Sequence, residues 1–191
     1  LNEHLWRVFV LSKSKGAVLP LVRDQLEALI FCFSRSPGIS THRRLCALTS
    51  ELLQLAGEIF FDANKYGDAA YCYTLAATAS KEADAFDLWA CAITRHAFIE
   101  MYERRFDKAA PMLELAGRLA RRGDRTLSTR YWVSSVQAQV FAGLGNLSAC
   151  ERALDGAEQV RELSGDVHNG GWLRFDGSRL AEERGACYVQ L

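Results

Sequence analysis

The sequence predicts an all-α protein, an α-solenoid of helical hairpins, on three observations. One template recurs along the chain: a small residue, an aromatic or polar one three later, Ala or Cys nine after that, then Tyr or Leu, then Ala. It reads Gly57, Phe60, Ala69, Tyr73, Ala76; then Ala97, Glu100, Ala109, Leu113, Ala116; then Ala138, Phe141, Cys150, Leu154, Ala157. Only three prolines, Pro20, Pro37 and Pro111, interrupt 191 residues, so most of the chain is free to be helical. Apolar residues recur with helical period between short stretches rich in Gly, Asn, Asp and Arg, which break or cap helices.

Residues 2–12 form a short helix with Leu5, Trp6, Phe9 and Val10 near one face, and Lys13 to Gly16 ends it. A second helix spans about 18–33, tolerating Pro20 in its first turn and carrying Leu26, Leu29, Ile30 and Phe33 as an apolar stripe. Ser36-Pro37-Gly38 closes it, and Ser40 or Thr41 is expected to cap a long helix to about Ala63. Further helices are expected near 66–82, 85–105, 107–122, 127–143, 146–163 and 176–190. Residues 1–45 thus read as N-terminal helices capping the array, and 46–191 as three full repeats and the first helix of a fourth. That fourth copy starts at Gly185 and Tyr188, so the array is expected to continue past Leu191.

Composition narrows the function. Lys and Arg number 23, equal to Asp and Glu, so this chain exerts no net pull on nucleic acid or anionic lipid. A 49% hydrophobic content with 24% charged residues excludes a disordered chain. No apolar run reaches the roughly 18 residues of a membrane span. Six cysteines lie in apolar-periodic segments with no C-x-x-C pair, which suits buried thiols in a reducing cytoplasm. The chain begins at Leu1, which reads as a piece of a longer protein.

The template resembles the tetratricopeptide repeat, whose two antiparallel helices pack through small residues. Ala69 and Ala109 stand 40 apart, and Ala109 and Cys150 41 apart. The usual period is about 34, which places the surplus in longer helices and in the turn between repeats. The segments LTSELLQLAGEIFFDANKYGDAAYCYTLAATASKEAD, LARRGDRTLSTRYWVSSVQAQVFAGLGN and NGGWLRFDGSRLAEERGACYVQL are more specific. They look like the tetratricopeptide region of actinobacterial helix-turn-helix regulatory proteins. That resemblance implies a right-handed superhelix and a role in transcription, with DNA contacted only through a domain absent from this chain.

In such a superhelix the first helix of each repeat lines the concave face. Projection puts there Glu58 and Asp62 from repeat one, Arg95, Phe98 and Tyr102 from repeat two, Trp132, Ser135 and Gln139 from repeat three, and Arg179 and Glu182 from the partial fourth. Aromatics beside both signs of charge suit a protein, a peptide or a small-molecule effector. The rival reading is a constitutive protein–protein scaffold; a homodimer is compatible with either. Asp62 and Asp176 are expected to bond nearby backbone, and His168 to Trp172 with Phe175 to form a loop stapled onto the array. Arg118, Arg121, Arg122 and Arg125 fit a solvated helix end. His96 and Glu100 lack a third ligand, so no metal is expected. No nucleophile has a recognisable base and no phosphate-cradling motif occurs, so neither cofactor nor catalysis is expected.

Overall fold

The computed structural model describes residues 2–163, 173 and 175–191. Among them the regular structure is helical: α1 (Asn2–Leu11), a 3-10 turn (Lys15–Val18), α2 (Leu19–Phe33), α3 (Ile39–Asp62), α4 (Tyr66–Glu82), α5 (Phe86–Tyr102), α6 (Phe106–Ala120), α7 (Thr129–Gly143), α8 (Leu147–Glu158), a second 3-10 turn (Gln159–Glu162) and α9 (Leu180–Gln190). No helix of the described residues is long and apolar enough to cross a membrane.

Four of the connections share one turn. After α3, α4, α5 and α7 the chain steps through a left-handed residue, Asn64, Asp84, Arg104 or Gly145, with φ between 55° and 69°. The next N–H then reaches back over the helix end: Lys65 to the Phe60 carbonyl at 2.9 Å, Ala85 to Ser80 at 3.0 Å, Arg105 to Glu100 at 2.8 Å and Asn146 to Phe141 at 2.9 Å. This closure satisfies carbonyls that a helix end leaves free, and it reverses the chain in three residues. Reversal at that spacing forces antiparallel neighbours. Accordingly α3 packs on α4, α4 on α5, α5 on α6 and α7 on α8, while α6 packs on α7 across the longer connection 121–128.

The repeated template marks where the helices meet. Ala69, Ala76, Ala97, Ala109, Ala116, Ala138, Cys150 and Ala157 have no exposed surface, and Tyr73, Leu113 and Leu154 almost none. Each larger residue reaches the following odd-numbered helix: Tyr73 clusters with Ile99, Leu113 with Val136 and Val140, and Leu154 with Cys187. The core is therefore a chain of nearest-neighbour interfaces. Gly185, the matching small residue of α9, faces open space, with nothing within 4 Å of where a Cβ would stand.

Odd-numbered helices also touch one another directly, α1 on α3, α3 on α5, α5 on α7 and α7 on α9; no contact of that extent joins α4 to α6 or α6 to α8. One row of helices is thus more tightly stacked than the other. The residues projected onto a groove all belong to this tight row or to its last turn before α9.

Some details depart from the sequence reading. The α3 N-cap is Gly38, with Ser40 and Thr41 already inside the helix and no side-chain cap. Cys32 is exposed while the other five cysteines are buried, because α2 buries only Val22 fully and leaves Leu21, Ile30 and Phe31 largely open. Between repeats one and two the connection is only residues 83–85, so the surplus length sits in the helices; between two and three it sits in residues 121–128. The His168 to Trp172 loop lies outside the described residues, whereas Phe175 is buried in the main core.

Candidate functional site

Glu58, Asp62, Arg95, Phe98 and Trp132 line one concavity of about 260 Å³, joined by Phe61 and Tyr73. Helical spacing explains the convergence. Glu58 and Asp62 are one turn apart on α3, Arg95 and Phe98 one turn apart on α5, and Trp132 opens the first turns of α7. Three successive helices of the tight row therefore contribute to a single hollow.

Arg95 is the hub of this hollow, and it is only 6% exposed. Its guanidinium pairs with the Glu58 carboxylate at 3.3 Å and donates to Gln54 Oε1 at 2.5 Å. It also lies 5.1 Å from the Trp6 ring centre and 5.4 Å from that of Trp132, within reach of cation–π attraction. Behind it runs a buried polar strip: Gln54 donates to the Leu88 carbonyl at 3.1 Å and to Ser50 Oγ at 3.3 Å, and the Ser50 and Ser80 hydroxyls lie 2.6 Å apart. Because each of these groups has a partner, the strip fixes the α3–α4–α5 joint rather than weakening it.

Glu58 has a second task. It accepts a 2.7 Å hydrogen bond from the Tyr73 hydroxyl. Burial, and then the neighbouring carboxylate, holds that phenol far above its usual pKa, so Tyr73 stays a neutral donor. Burial likewise pushes the Cys91 thiol, one turn before Arg95, up to about 12, with Arg95 acting in the opposite direction. Asp62 differs from Glu58: it is exposed at the end of α3, and among the described residues no hydrogen bond or ion pair holds its carboxylate.

The walls are aromatic. Phe98 and Trp132 have ring centres 6.2 Å apart at 35°. Tyr102, 68% exposed, packs edge-on against Phe61 at 5.6 Å and lies 5.8 Å from Tyr66, extending the aromatic surface beyond the hollow. Ser135 is buried one turn after Trp132 and donates its hydroxyl to Glu183 of α9. Gln139 follows one turn later, half-buried. Arg179 and Glu182 stand exposed at the start of α9, 3.6 Å apart, and do not line the hollow. Projection from the sequence missed Trp6, Gln54, Phe61, Tyr66 and Tyr73. Trp6 belongs to α1 and Tyr66 and Tyr73 to α4, outside the projected helices, whereas Gln54, one turn before Glu58 on the same face of α3, and Phe61, adjacent to Asp62, carried a local signal.

Other features do different work. His96 has a depressed pKa because it is half-buried, with Glu100 opposing that shift. Glu100 itself accepts from Arg105 Nε at 2.5 Å, which lowers its carboxyl pKa. Asp176 Oδ1 accepts from the Ser178 N–H at 2.9 Å, an Asx turn. The α6 helix ends at Ala120, so Arg121, Arg122 and Arg125 lie beyond it. Arg122 stacks on Phe86 at 4.1 Å, and Arg121 borders a separate polar cavity of about 310 Å³ with Arg130, Ser134 and Gln137. A larger cavity of about 430 Å³ between α2 and the first hairpin is lined by Leu19, Val22, Leu26, Leu53, Ala56 and Phe60 among others. Its walls are almost wholly apolar, with no convergent polar groups to orient a ligand, so the smaller hollow is the better candidate. No family model and no curated protein matches the chain.

Proposed function

We propose that this chain is the binding module of a bacterial transcription-associated regulator, a right-handed tetratricopeptide-like superhelix that captures a peptide, protein segment or small effector on its concave face. The tighter stacking of the odd-numbered helices supports a concave face on their side. The observation that carries the reading is the shared hollow: side chains from α3, α5 and α7 meet in one place, with aromatic walls and the exposed Asp62 carboxylate at its edge. Arg95 already has Glu58 as its counter-ion. The unspent charge at the site is therefore negative, and a ligand presenting a basic group next to an apolar one fits it best.

A fluorescence-polarisation screen of short peptides carrying Lys or Arg beside Leu, Phe or Trp tests the binding half. Trp132→Ala is expected to weaken any peptide selected by roughly 2 kcal/mol or more, about 30-fold, as for a buried aromatic anchor. Replacing Arg121 and Arg122 with Ala is expected to change affinity only through screened long-range attraction. Loss of affinity in the arginine pair with Trp132→Ala unaffected overturns the assignment. The regulatory half requires that ligand and DNA affinities be coupled in the full-length protein. A saturated groove that leaves DNA affinity unchanged sinks it and favours the constitutive scaffold, a reading that the open apolar residues Leu21, Ile30 and Phe31 of α2 support.

A further inference from the structure

Away from the groove, three side chains of the first hairpin bring metal-ligating atoms together. His42 and Cys46 are four apart on α3 and so share a face. Glu82 is the last residue of α4, which runs antiparallel to α3 and returns its end to the start of α3. His42 Nε2 lies 2.8 Å from Glu82 Oε1 and 3.5 Å from Cys46 Sγ. All three ligand atoms fall within 4.8 Å of one another.

These separations can be compared with a tetrahedral ion. Bonds of about 2.0 Å to nitrogen and 2.3 Å to sulfur hold those two atoms about 3.5 Å apart. The His42–Cys46 edge already has that length. A nitrogen–oxygen edge of about 3.3 Å requires Glu82 to retreat by about 0.5 Å. That side chain is 57% exposed and can do so. Phe33 packs edge-on against the His42 ring at 5.4 Å, which restricts its orientation. The nearby Arg43 is paired with Asp84 at 2.9 Å, so its charge is balanced before it can repel a cation.

We propose that His42, Cys46 and Glu82 form a zinc site that clips the start of α3 to the end of α4. A neutral imidazole, a thiolate and a carboxylate together balance the charge of a divalent ion, and the mixed nitrogen, sulfur and oxygen set suits zinc. Three protein ligands leave the fourth position to water, on the solvent side where Glu82 is exposed and His42 half-buried. The set escapes a scan for sequence motifs because the third ligand comes from the neighbouring helix, 36 residues after Cys46.

Titrating the metal-stripped chain with Co²⁺ tests this, since a thiolate ligand gives a charge-transfer band and a tetrahedral site gives intense visible bands. Both are expected to saturate at one ion per chain and to vanish when Zn²⁺ is added. Cys46→Ser is expected to abolish the charge-transfer band. Glu82→Gln, at an exposed position, is expected to weaken binding by at least about tenfold with an unchanged far-ultraviolet dichroism spectrum. Zinc is expected to raise the thermal midpoint of the wild type and not that of either variant. Absence of the charge-transfer band, or its persistence in Cys46→Ser, overturns the proposal. Should Cys46→Ser fail to fold, His42→Gln replaces it, and unchanged cobalt affinity there overturns the proposal equally.

Discussion

Gly57 and Tyr73 supply the sharpest test of the packing register. A Cβ on Gly57 would fall 2.4 Å from Tyr73 Cε1, 2.7 Å from Cδ1 and 2.9 Å from Cζ. The ring cannot easily swing aside, because it is 1% exposed and its hydroxyl is tied to Glu58 at 2.7 Å. Gly57→Ala therefore adds an overpacking cost of about 1–3 kcal/mol. Against it stands about 1 kcal/mol gained by replacing a mid-helix glycine with alanine. The net expectation is a loss of about 1 kcal/mol. Repeats two and three show how the clash is avoided: where repeat one pairs Gly57 with Tyr73, they pair Ala97 with Leu113 and Ala138 with Leu154. In the Tyr73→Leu background the overpacking cost disappears, and Gly57→Ala becomes stabilising by about 1 kcal/mol. The sign of one substitution thus inverts with the residue sixteen positions away. Urea denaturation of the four proteins of this cycle, followed by far-ultraviolet dichroism, measures it from midpoints at constant slope. Equal destabilisation by Gly57→Ala in both backgrounds would refute the contact and, with it, the register.

Thiol labelling of the native chain should show a fast phase of one cysteine, Cys32; the others are buried, with Cys72 pushed up to about 11 and Cys91 and Cys187 to about 12 by burial. Denaturation without reductant should then release all six, and a fast phase larger than one thiol contradicts the burial pattern. Arg104→Gly should stabilise by about 0.5–1 kcal/mol, since Arg104 holds φ 57° where Gly145 serves the matching turn. Gly145→Ala, with nothing near its Cβ, should cost about 1 kcal/mol through the backbone alone, and an unchanged thermal midpoint there removes the argument. Because burial lowers the His96 pKa in the folded state, the unfolded chain binds its proton first, and stability should fall as pH drops through about 6.5. Glu51 and Asp87, whose carboxyl pKa values burial raises, act with the opposite sign at lower pH, so His96→Gln should flatten the slope near pH 6 while leaving theirs.

Template positions were legible in the sequence because the information is local: a small residue, then a partner sixteen later, is one hairpin's worth of chain. Ala69, Ala109 and Cys150 lie buried where that spacing puts them. The turns were legible for the same reason, through Asn64 and Gly145, although Arg104 in a left-handed conformation was not, since nothing in arginine favours it. Burial against distant segments was less legible. Helical spacing put Arg95 on the same row of helices as Glu58 and Trp132, but did not reveal that Glu58, Gln54, Trp6 and Trp132 surround its guanidinium. Ser135 could be placed on a helix face, yet its hydroxyl is engaged by Glu183 from α9, 48 residues later. Cys32 sits exposed on α2 beside the open Ile30 and Phe31, an outcome that periodicity alone does not distinguish from a buried stripe.

The burial of Arg95 also decides which carboxylate a ligand can use. Glu58 holds both Arg95 and Tyr73, so drawing it toward a ligand would leave a guanidinium that is 6% exposed short of its counter-ion. Stripping a buried ion pair of one partner costs about 3–5 kcal/mol, more than a rim contact returns. Asp62 bears no such obligation, and its exposed position one turn further along α3 lets it meet a cation without disturbing the strip beneath. The two acids thus divide the work, Glu58 keeping α3, α4 and α5 in register and Asp62 offering charge to solvent. The aromatic wall joins the two roles, because Trp132 faces the hollow and also lies against Arg95. Under the proposed function, a ligand that moved the Trp132 ring would act on the joint between α5 and α7, where a small change of angle would be carried to the helices stacked beyond it.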